Sequence, residues 1–96
     1  MADLYAIYGA SGCGRSLMPV AREQLARLNI QAEIYFIDDS LIQPSRLNGH
    51  TALNYQQFKA LNSENKFVLI AIASSSIREK LAHQLNADHI QLWSVQ

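Results

Sequence analysis

A glycine-rich segment near the amino terminus carries residue types that hold phosphate groups. Three glycines occur within six residues, in the order Gly9-Ala10-Ser11-Gly12-Cys13-Gly14. Glycine lets the backbone approach a phosphate closely, and a helix that begins there offers free N–H groups and the positive end of its dipole. The spacing G-x-x-G-x-G departs from the common G-x-G-x-x-G, so the segment also fits a tight strand-to-helix turn without a ligand. We expect a phosphate-binding turn, because three glycines exceed what such a turn needs.

Two acidic residues and three serines lie later in the chain and could complete the same site. Asp38-Asp39 follows an apolar segment, and in dinucleotide sites an acidic residue at the end of the second strand accepts hydrogen bonds from ribose hydroxyls. The pair also fits a solvated strand end, but together with the glycine turn it favours ligand binding. Ala73 precedes three serines, Ser74-Ser75-Ser76, which we expect to cap the next helix while Ala73 and Ser74 line the cleft.

Cys13 lies within the glycine turn and is the single cysteine of the sequence. One cysteine cannot form an internal disulfide or a metal site built from cysteines. A thiol at a helix N-terminus can have a lowered pKa and become nucleophilic. However, the three histidines lie far from it in sequence, at His50, His83 and His89. The H-E-x-x-H, G-x-S-x-G and Walker lysine motifs are absent. We therefore predict a binding site without a catalytic residue or a metal.

Apolar patterning predicts the elements that position these residues. Strands are predicted at Leu4–Tyr8, Glu33–Ile37, Phe67–Ala73 and His89–Trp93, with a brief extended piece at 49–53 and a surface loop at 40–48. Helices are predicted from the glycines or from about Ser16 to Leu28, from Tyr55 to about Leu61, and after Ser76. The first helix has two possible starts because Pro19 is tolerated in a first turn but kinks a helix farther along. Capping boxes of Asn54 with Gln57 and of Ser76 with Glu79 open the other two helices.

This alternation predicts an α/β domain with a four-stranded parallel sheet in the order 2-1-3-4. In that order strand two lies on one side of strand one and strand three lies on the other. Ligands of open α/β sheets bind at the carboxyl ends of the strands at this switch point. The glycine turn, the acidic pair and the serines are all predicted to lie at this edge.

Length and charge restrict the function classes. The 96 residues predict a single domain over 1–96, too short for a complete doubly wound dinucleotide-binding fold. Eight basic residues balance eight acidic ones and are scattered along the chain, which argues against a nucleic-acid partner. The amino-terminal residues lack a charged leader, and no segment approaches the ~20 apolar residues that span a bilayer, so we expect a cytoplasmic protein without a membrane partner.

The segments Tyr8–Gly14, Phe36–Asp39 and Ile70–Arg78 together resemble the N-terminal domain of PglD/NeuD-type sugar acyltransferases. The family patterns are approximately Y-G-A-S-G-H-G, F-[IL]-D-D and [IV]-A-I-G-[DN]-N-x-x-R, and the resemblance covers essentially the whole chain. It implies a small Rossmann-like, three-layer domain that binds a UDP-linked amino sugar, commonly a 4-amino sugar destined for bacterial surface polysaccharides. By position it implies substrate contacts at Ser11, Gly12, Cys13, Asp38, Asp39 and Ala73. The candidate substrate-binding residues are these six together with Gly9, Gly14 and Ser74.

The sequence departs from the family pattern in three places. Cys13 replaces a histidine, Ala73 replaces a glycine, and Ser74-Ser75 replaces a polar pair. The change at Cys13 removes a strong donor near the diphosphate, so we expect the affinity or the sugar preference to differ.

In such proteins a following left-handed parallel β-helix trimerises, binds acetyl-CoA and carries the catalytic histidine. No hexapeptide repeat occurs in these 96 residues. We therefore expect the chain to bind its sugar nucleotide without a cofactor, to acetylate nothing by itself, and to belong to a homotrimeric parent protein. Two alternatives stay open, an NAD(P)-binding module and a ligand-free assembly domain.

Overall fold

Helices and strands alternate along the chain in the computed structural model, which describes residues 3–9, 12–30, 32–47 and 49–93. In chain order the elements are β1 (Leu4–Tyr8), α1 (Gly12–Arg27), β2 (Ile34–Ile37), β3 (Ser45–Leu47), β4 (His50–Leu53), α2 (Tyr55–Lys59), β5 (Lys66–Ile70), α3 (Ser75–Ala87) and β6 (Gln91–Leu92). Within these ranges, no helix is long and apolar enough to cross a membrane.

The strands form one mixed sheet in the order β3-β4-β2-β1-β5-β6. Neighbouring strands are parallel except for the antiparallel pair of β3 and β4. The α/β class is confirmed, but the prediction of four strands in the order 2-1-3-4 is wrong because the described residues form a sheet of six strands. The four predicted strands keep their relative order as β2-β1-β5-β6. The sheet is larger because β4 pairs with the free edge of β2, where Phe36 lies opposite Ala52.

The extra strands form a hairpin in a region predicted to be mostly loop. Leu47 lies opposite His50, which leaves a two-residue connection with the sequence Asn-Gly. Gly49 has φ +82°, in the left-handed region that such turns require. The predicted extended piece at 49–53 is confirmed as β4, whereas the loop prediction for 40–48 is wrong over β3. β3 is mostly exposed and therefore lacks the alternation that marks a strand.

Two hydrophobic clusters lie on opposite faces of the sheet, because successive residues of β1 point to opposite sides. On one face Met18, Ala21 and Leu25 of α1 pack in a cluster that includes Ile7. On the other face α2 and α3 pack in a cluster that includes Phe58, Leu85 and Val68. The predicted three layers are present, and β1 is buried on both sides, which accounts for its continuous apolar sequence.

The element boundaries decide several of the sequence predictions. α1 begins at Gly12 and contains Pro19, so the start at the glycines is confirmed. The capping box of Asn54 with Gln57 is also confirmed. The cap predicted at Ser76 is wrong, since α3 begins two residues earlier and Ser74 is its N-cap. β5 ends at Ile70 rather than Ala73 because its partner β1 ends at Tyr8, which lies opposite Ile70.

Candidate functional site

Three adjacent parallel strands end at the same edge of the sheet, and the predicted site segments follow them. Gly9 after β1 donates its N–H to the carbonyl oxygen of Ile37 at 2.8 Å. Ala71 after β5 donates to the carbonyl oxygen of Tyr8 at 3.0 Å. These bonds join the ends of β1, β2 and β5. The structure thus places the described residues of the glycine turn, the acidic pair and the serines at the carboxyl edge where the chain order reverses.

Two of the three glycines are required by packing. Gly9 has φ +115°, and a Cβ atom there would lie 2.9 Å from the carbonyl oxygen of Ala71. A Cβ atom on Gly14 would overlap the carbonyl oxygen of Gly9 and lie 2.8 Å from its carbonyl carbon. The first turn of α1 therefore packs directly on the backbone that leaves β1. Close packing explains Gly9 and Gly14 without a ligand, which weakens the argument from glycine content alone.

The first turn of α1 contains the remaining residues of the predicted phosphate turn. Gly12 and Cys13 are its first two residues, so their N–H groups have no partner within the helix. Ser11 lies outside the described residues, and of Cys13 only the backbone is described. The roles predicted for these side chains stay predictions.

Asp38 follows β2 and closes a local turn. Its Oδ1 atom accepts hydrogen bonds from the backbone nitrogen of Ser40 at 3.0 Å and from the Ser40 hydroxyl at 2.7 Å. Its own backbone nitrogen donates to the carbonyl oxygen of Leu53 at 2.9 Å. Both ends of the residue are therefore held, and its half-buried side chain lies at the carboxyl edge.

Asp39 joins three elements through its carboxylate. Its Oδ2 atom accepts a short hydrogen bond from the Tyr8 hydroxyl at the end of β1. Its Oδ1 atom accepts from the backbone nitrogen of Tyr55, the first residue of α2, at 3.0 Å. The rings of Tyr8 and Tyr55 stack with their centroids 5.8 Å apart. Asp39 therefore connects the end of β2 with β1 and α2.

Sequence reasoning missed both tyrosines. Burial, followed by the hydrogen bond to a carboxylate, raises the pKa of Tyr8 and of Tyr55 well above the usual value for a tyrosine. One feature of the sequence indicated such a contact. Tyr8 ends a strand predicted to be buried, and a buried tyrosine hydroxyl requires a hydrogen-bond partner.

The hydroxyl of Tyr55 extends this network to α3. It donates to Oδ2 of Asp88, the C-cap of α3, at 2.5 Å. The Nζ atom of Lys59 lies 3.6 Å from Oδ1 of the same carboxylate. The bond from Tyr55, aided by the charge of Lys59, lowers the pKa of Asp88. The contacts of Tyr55 and Lys59 with Asp88 therefore connect α2 to the C-terminal end of α3.

The segment after β5 contributes Ala73 and Ser74, which are both exposed. The Ser74 hydroxyl accepts from the backbone nitrogen of Ile77 at 3.5 Å and lies 3.2 Å from the Ser76 hydroxyl. The predicted capping role of the serines is confirmed at Ser74.

Two surface grooves are lined by described residues outside the candidate site. One of about 580 Å³ lies at the amino end of β2, between α1 and the hairpin, and includes Arg22 and His50. Another of about 510 Å³ lies between α3 and the strands β5 and β6, and includes Arg78 and Trp93. The first groove is at the opposite edge of the sheet from the glycine turn, so the two regions can be distinguished by experiment.

Comparisons with known proteins agree with this architecture. PglD N-terminal domains match residues 5–85 of the chain. GDP-perosamine N-acetyltransferase from Escherichia coli O157:H7 is 26% identical over 84 residues, which cover 86% of this chain and 38% of that protein. The solved structure of WeeI from Acinetobacter baumannii AYE has a TM-score of 0.90 and 38% identity, and the match covers 99% of this chain and 44% of that chain.

This chain spans less than half the length of either protein. The relation to a sugar N-acetyltransferase supports the resemblance to PglD/NeuD-type acyltransferases, which is confirmed. Because the family match extends over most of its residues, the chain belongs to the PglD N-terminal domain family.

Proposed function

We propose that this domain binds the nucleoside diphosphate of a nucleotide-linked amino sugar, as the N-terminal substrate-binding domain of a sugar N- or O-acetyltransferase. The observation that carries the proposal is the position of the α1 N-terminus, which opens between the ends of β1 and its two neighbours. A helix N-terminus at the point where the strand order reverses is a favourable place for a diphosphate.

The diphosphate would lie against the free N–H groups of the first turn of α1. The close approach of Gly14 to Gly9 holds this turn directly over the strand ends. In this proposal the nine candidate residues line the site, namely Gly9, Ser11, Gly12, Cys13, Gly14, Asp38, Asp39, Ala73 and Ser74.

The nucleotide is UDP in the first form of the proposal, because the family resemblance implies a UDP-linked 4-amino sugar. A second candidate is a GDP-linked amino sugar. This alternative is favoured by the relative named GDP-perosamine N-acetyltransferase, which is 26% identical over the matched residues. The two candidates differ in the base and share the diphosphate.

The acetyl transfer belongs, in this proposal, to a longer cytoplasmic protein that makes surface polysaccharide and assembles as a homotrimer. Acetyl-CoA and the catalytic histidine are assigned to its β-helix. The domain described here recognises the sugar nucleotide and requires no cofactor of its own.

Thermal unfolding with added ligands tests the proposal. A ligand at 100 times its dissociation constant stabilises the native state by about 2.7 kcal/mol, which corresponds to a rise in Tm of roughly 10–20 °C for a domain of this size. We expect this rise with UDP or GDP and no rise with acetyl-CoA. A rise with NADH alone would favour the nicotinamide alternative, and no rise with either nucleotide at millimolar concentration would contradict the proposal.

Amide chemical-shift mapping with the same nucleotides tests the location. We expect the largest changes at the carboxyl edge, among the amides of Gly12, Gly14, Asp38, Ala73 and Ser74. The groove that includes Arg22 and His50 lies at the other edge and is the internal control. Changes confined to that groove would contradict the proposed site even if the nucleotide binds.

A further inference from the structure

The two adjacent aspartates differ in how much of each carboxylate is free to accept further hydrogen bonds. In Asp38 both contacts from Ser40 fall on Oδ1, at 3.0 and 2.7 Å. Within the described part of the chain no donor contacts its Oδ2 atom. A carboxylate oxygen can accept two hydrogen bonds, so the described residues leave the full capacity of Oδ2 of Asp38 unused.

Asp39 has both oxygens engaged by the protein. The Tyr8 hydroxyl donates to Oδ2, and the backbone nitrogen of Tyr55 donates to Oδ1 at 3.0 Å. These donors come from two different elements, β1 and α2, and the two tyrosines that supply them are buried with their rings stacked. Asp39 is exposed and each of its oxygens accepts one bond. Turning the carboxylate toward a ligand would break at least one of these bonds and leave either the buried Tyr8 hydroxyl or the backbone N–H of Tyr55 without its acceptor, which is costly.

We propose that the aspartates divide two tasks: Asp38 contacts the bound nucleotide through Oδ2, and Asp39 is a positioning residue that holds Tyr8 and the start of α2. This inference rests on the proposed function. It modifies the family-based expectation that both aspartates contact the substrate. Tyr8 immediately precedes Gly9, so fixing its side chain fixes the point where the chain leaves β1 toward the glycine turn.

Isosteric variants separate the two tasks. Asp38→Asn keeps an oxygen for Ser40 but removes the charge, so we expect the melting temperature to stay within about 2 °C while UDP binding weakens roughly 10- to 100-fold. Asp39→Asn and Tyr8→Phe act on the same hydrogen bond, since the first replaces its charged acceptor by a neutral amide and the second removes its donor. We expect both variants to lower the melting temperature and to weaken UDP binding by the same factor. The double variant should bind UDP with the same affinity as either single variant, to within about two-fold.

A spectroscopic measurement distinguishes contact from positioning. In protein labelled with ¹³C, adding UDP should shift the carboxyl carbon signal of Asp38 and leave that of Asp39 in place. GDP serves as the probe if UDP does not bind. A purely structural role for both residues would leave both signals unmoved.

The outcomes separate this inference from the function on which it rests. If the unchanged domain binds neither UDP nor GDP, the proposed function fails and the inference fails with it. If it binds but the Asp38 signal does not move, the inference alone is overturned. The same holds if Asp39→Asn weakens binding at least tenfold more than Tyr8→Phe does, because Asp39 would then contact the nucleotide directly.

Discussion

The substitution Gly14→Ala should destabilise the domain even though alanine is the better helix former. The new Cβ atom would overlap the carbonyl oxygen of Gly9 and lie 2.8 Å from its carbonyl carbon. It would also lie 3.4 Å from Cγ2 of Ile7, at the lower limit of ordinary contact. Both obstructing atoms of Gly9 belong to the backbone, so no side-chain rotation can relieve the overlap, and α1 or the end of β1 must move.

The expected magnitude follows from two opposing effects. Overpacking costs about 1–3 kcal/mol, and a backbone obstacle belongs at the upper end of that range. Replacing glycine by alanine in a helix returns about 1 kcal/mol. The net loss is about 2 kcal/mol in the free energy of unfolding, or a Tm lower by roughly 8–16 °C.

Thermal unfolding followed by circular dichroism measures this change. The matched control is Arg15→Ala, since Arg15 is the next residue of α1 and is exposed, so its replacement should change the free energy of unfolding by less than about 0.5 kcal/mol. If Gly14→Ala unfolds at the same temperature as the unchanged domain or higher, the close packing of α1 on the backbone of Gly9 is refuted.

Three other perturbations test the packing around the network. Because the pKa values of Tyr8 and Tyr55 are raised on folding, the unfolded chain loses these protons first. The stability contributed by these two hydroxyls should therefore be fully present below about pH 10 and should fall above it by at most about 1.4 kcal/mol per pH unit for each tyrosine; Tm values at pH 9–11 check this, and Tyr55→Phe should reduce the slope. Asn54→Ala removes the cap of α2 and should cost about 1 kcal/mol in urea unfolding, whereas Gln56→Ala, at an exposed position of the same helix, should cost little. Phe58 is fully buried, so Phe58→Ala should cost about 3–5 kcal/mol, and a urea midpoint close to that of the unchanged domain would contradict its place in the core.

The central strands could be predicted from the sequence because burial on both faces requires a continuous run of apolar residues. The bounds of β1 were predicted to the residue, since an apolar run ends at the glycine that follows Tyr8. The order of β2, β1, β5 and β6 followed from right-handed crossovers. These features depend on residues close together in the chain or on general rules of connection.

The hairpin was missed because its evidence is divided between local and tertiary features. The Asn-Gly dipeptide before His50 is a strong hairpin signal and was available in the sequence. Its first strand is exposed, however, and has no apolar alternation. The hairpin joins the sheet only through β4, whose pairing with β2 is a tertiary contact.

The candidate site was predictable in position but not in detail. Chain order alone brings the ends of β1, β2 and β5 to one edge, which is where the structure has them. The sequence did not reveal that Gly9 and Gly14 are needed for packing, because that requirement depends on the approach of α1 to the strand end. Nor did it reveal that Asp39 is bonded to Tyr8, which lies 31 residues away in the chain.

The hairpin also determines which strand the sheet presents to another copy at one of its edges. With eight basic and eight acidic residues, the chain has no net charge to keep copies apart. At the β3 edge the sheet offers only three residues, about 10 Å of backbone, for pairing with a foreign strand. Arg46 in the middle of that strand places a cation there. A short edge strand that carries a charge disfavours edge-to-edge pairing, so at this edge the hairpin supplies a protection that net charge does not.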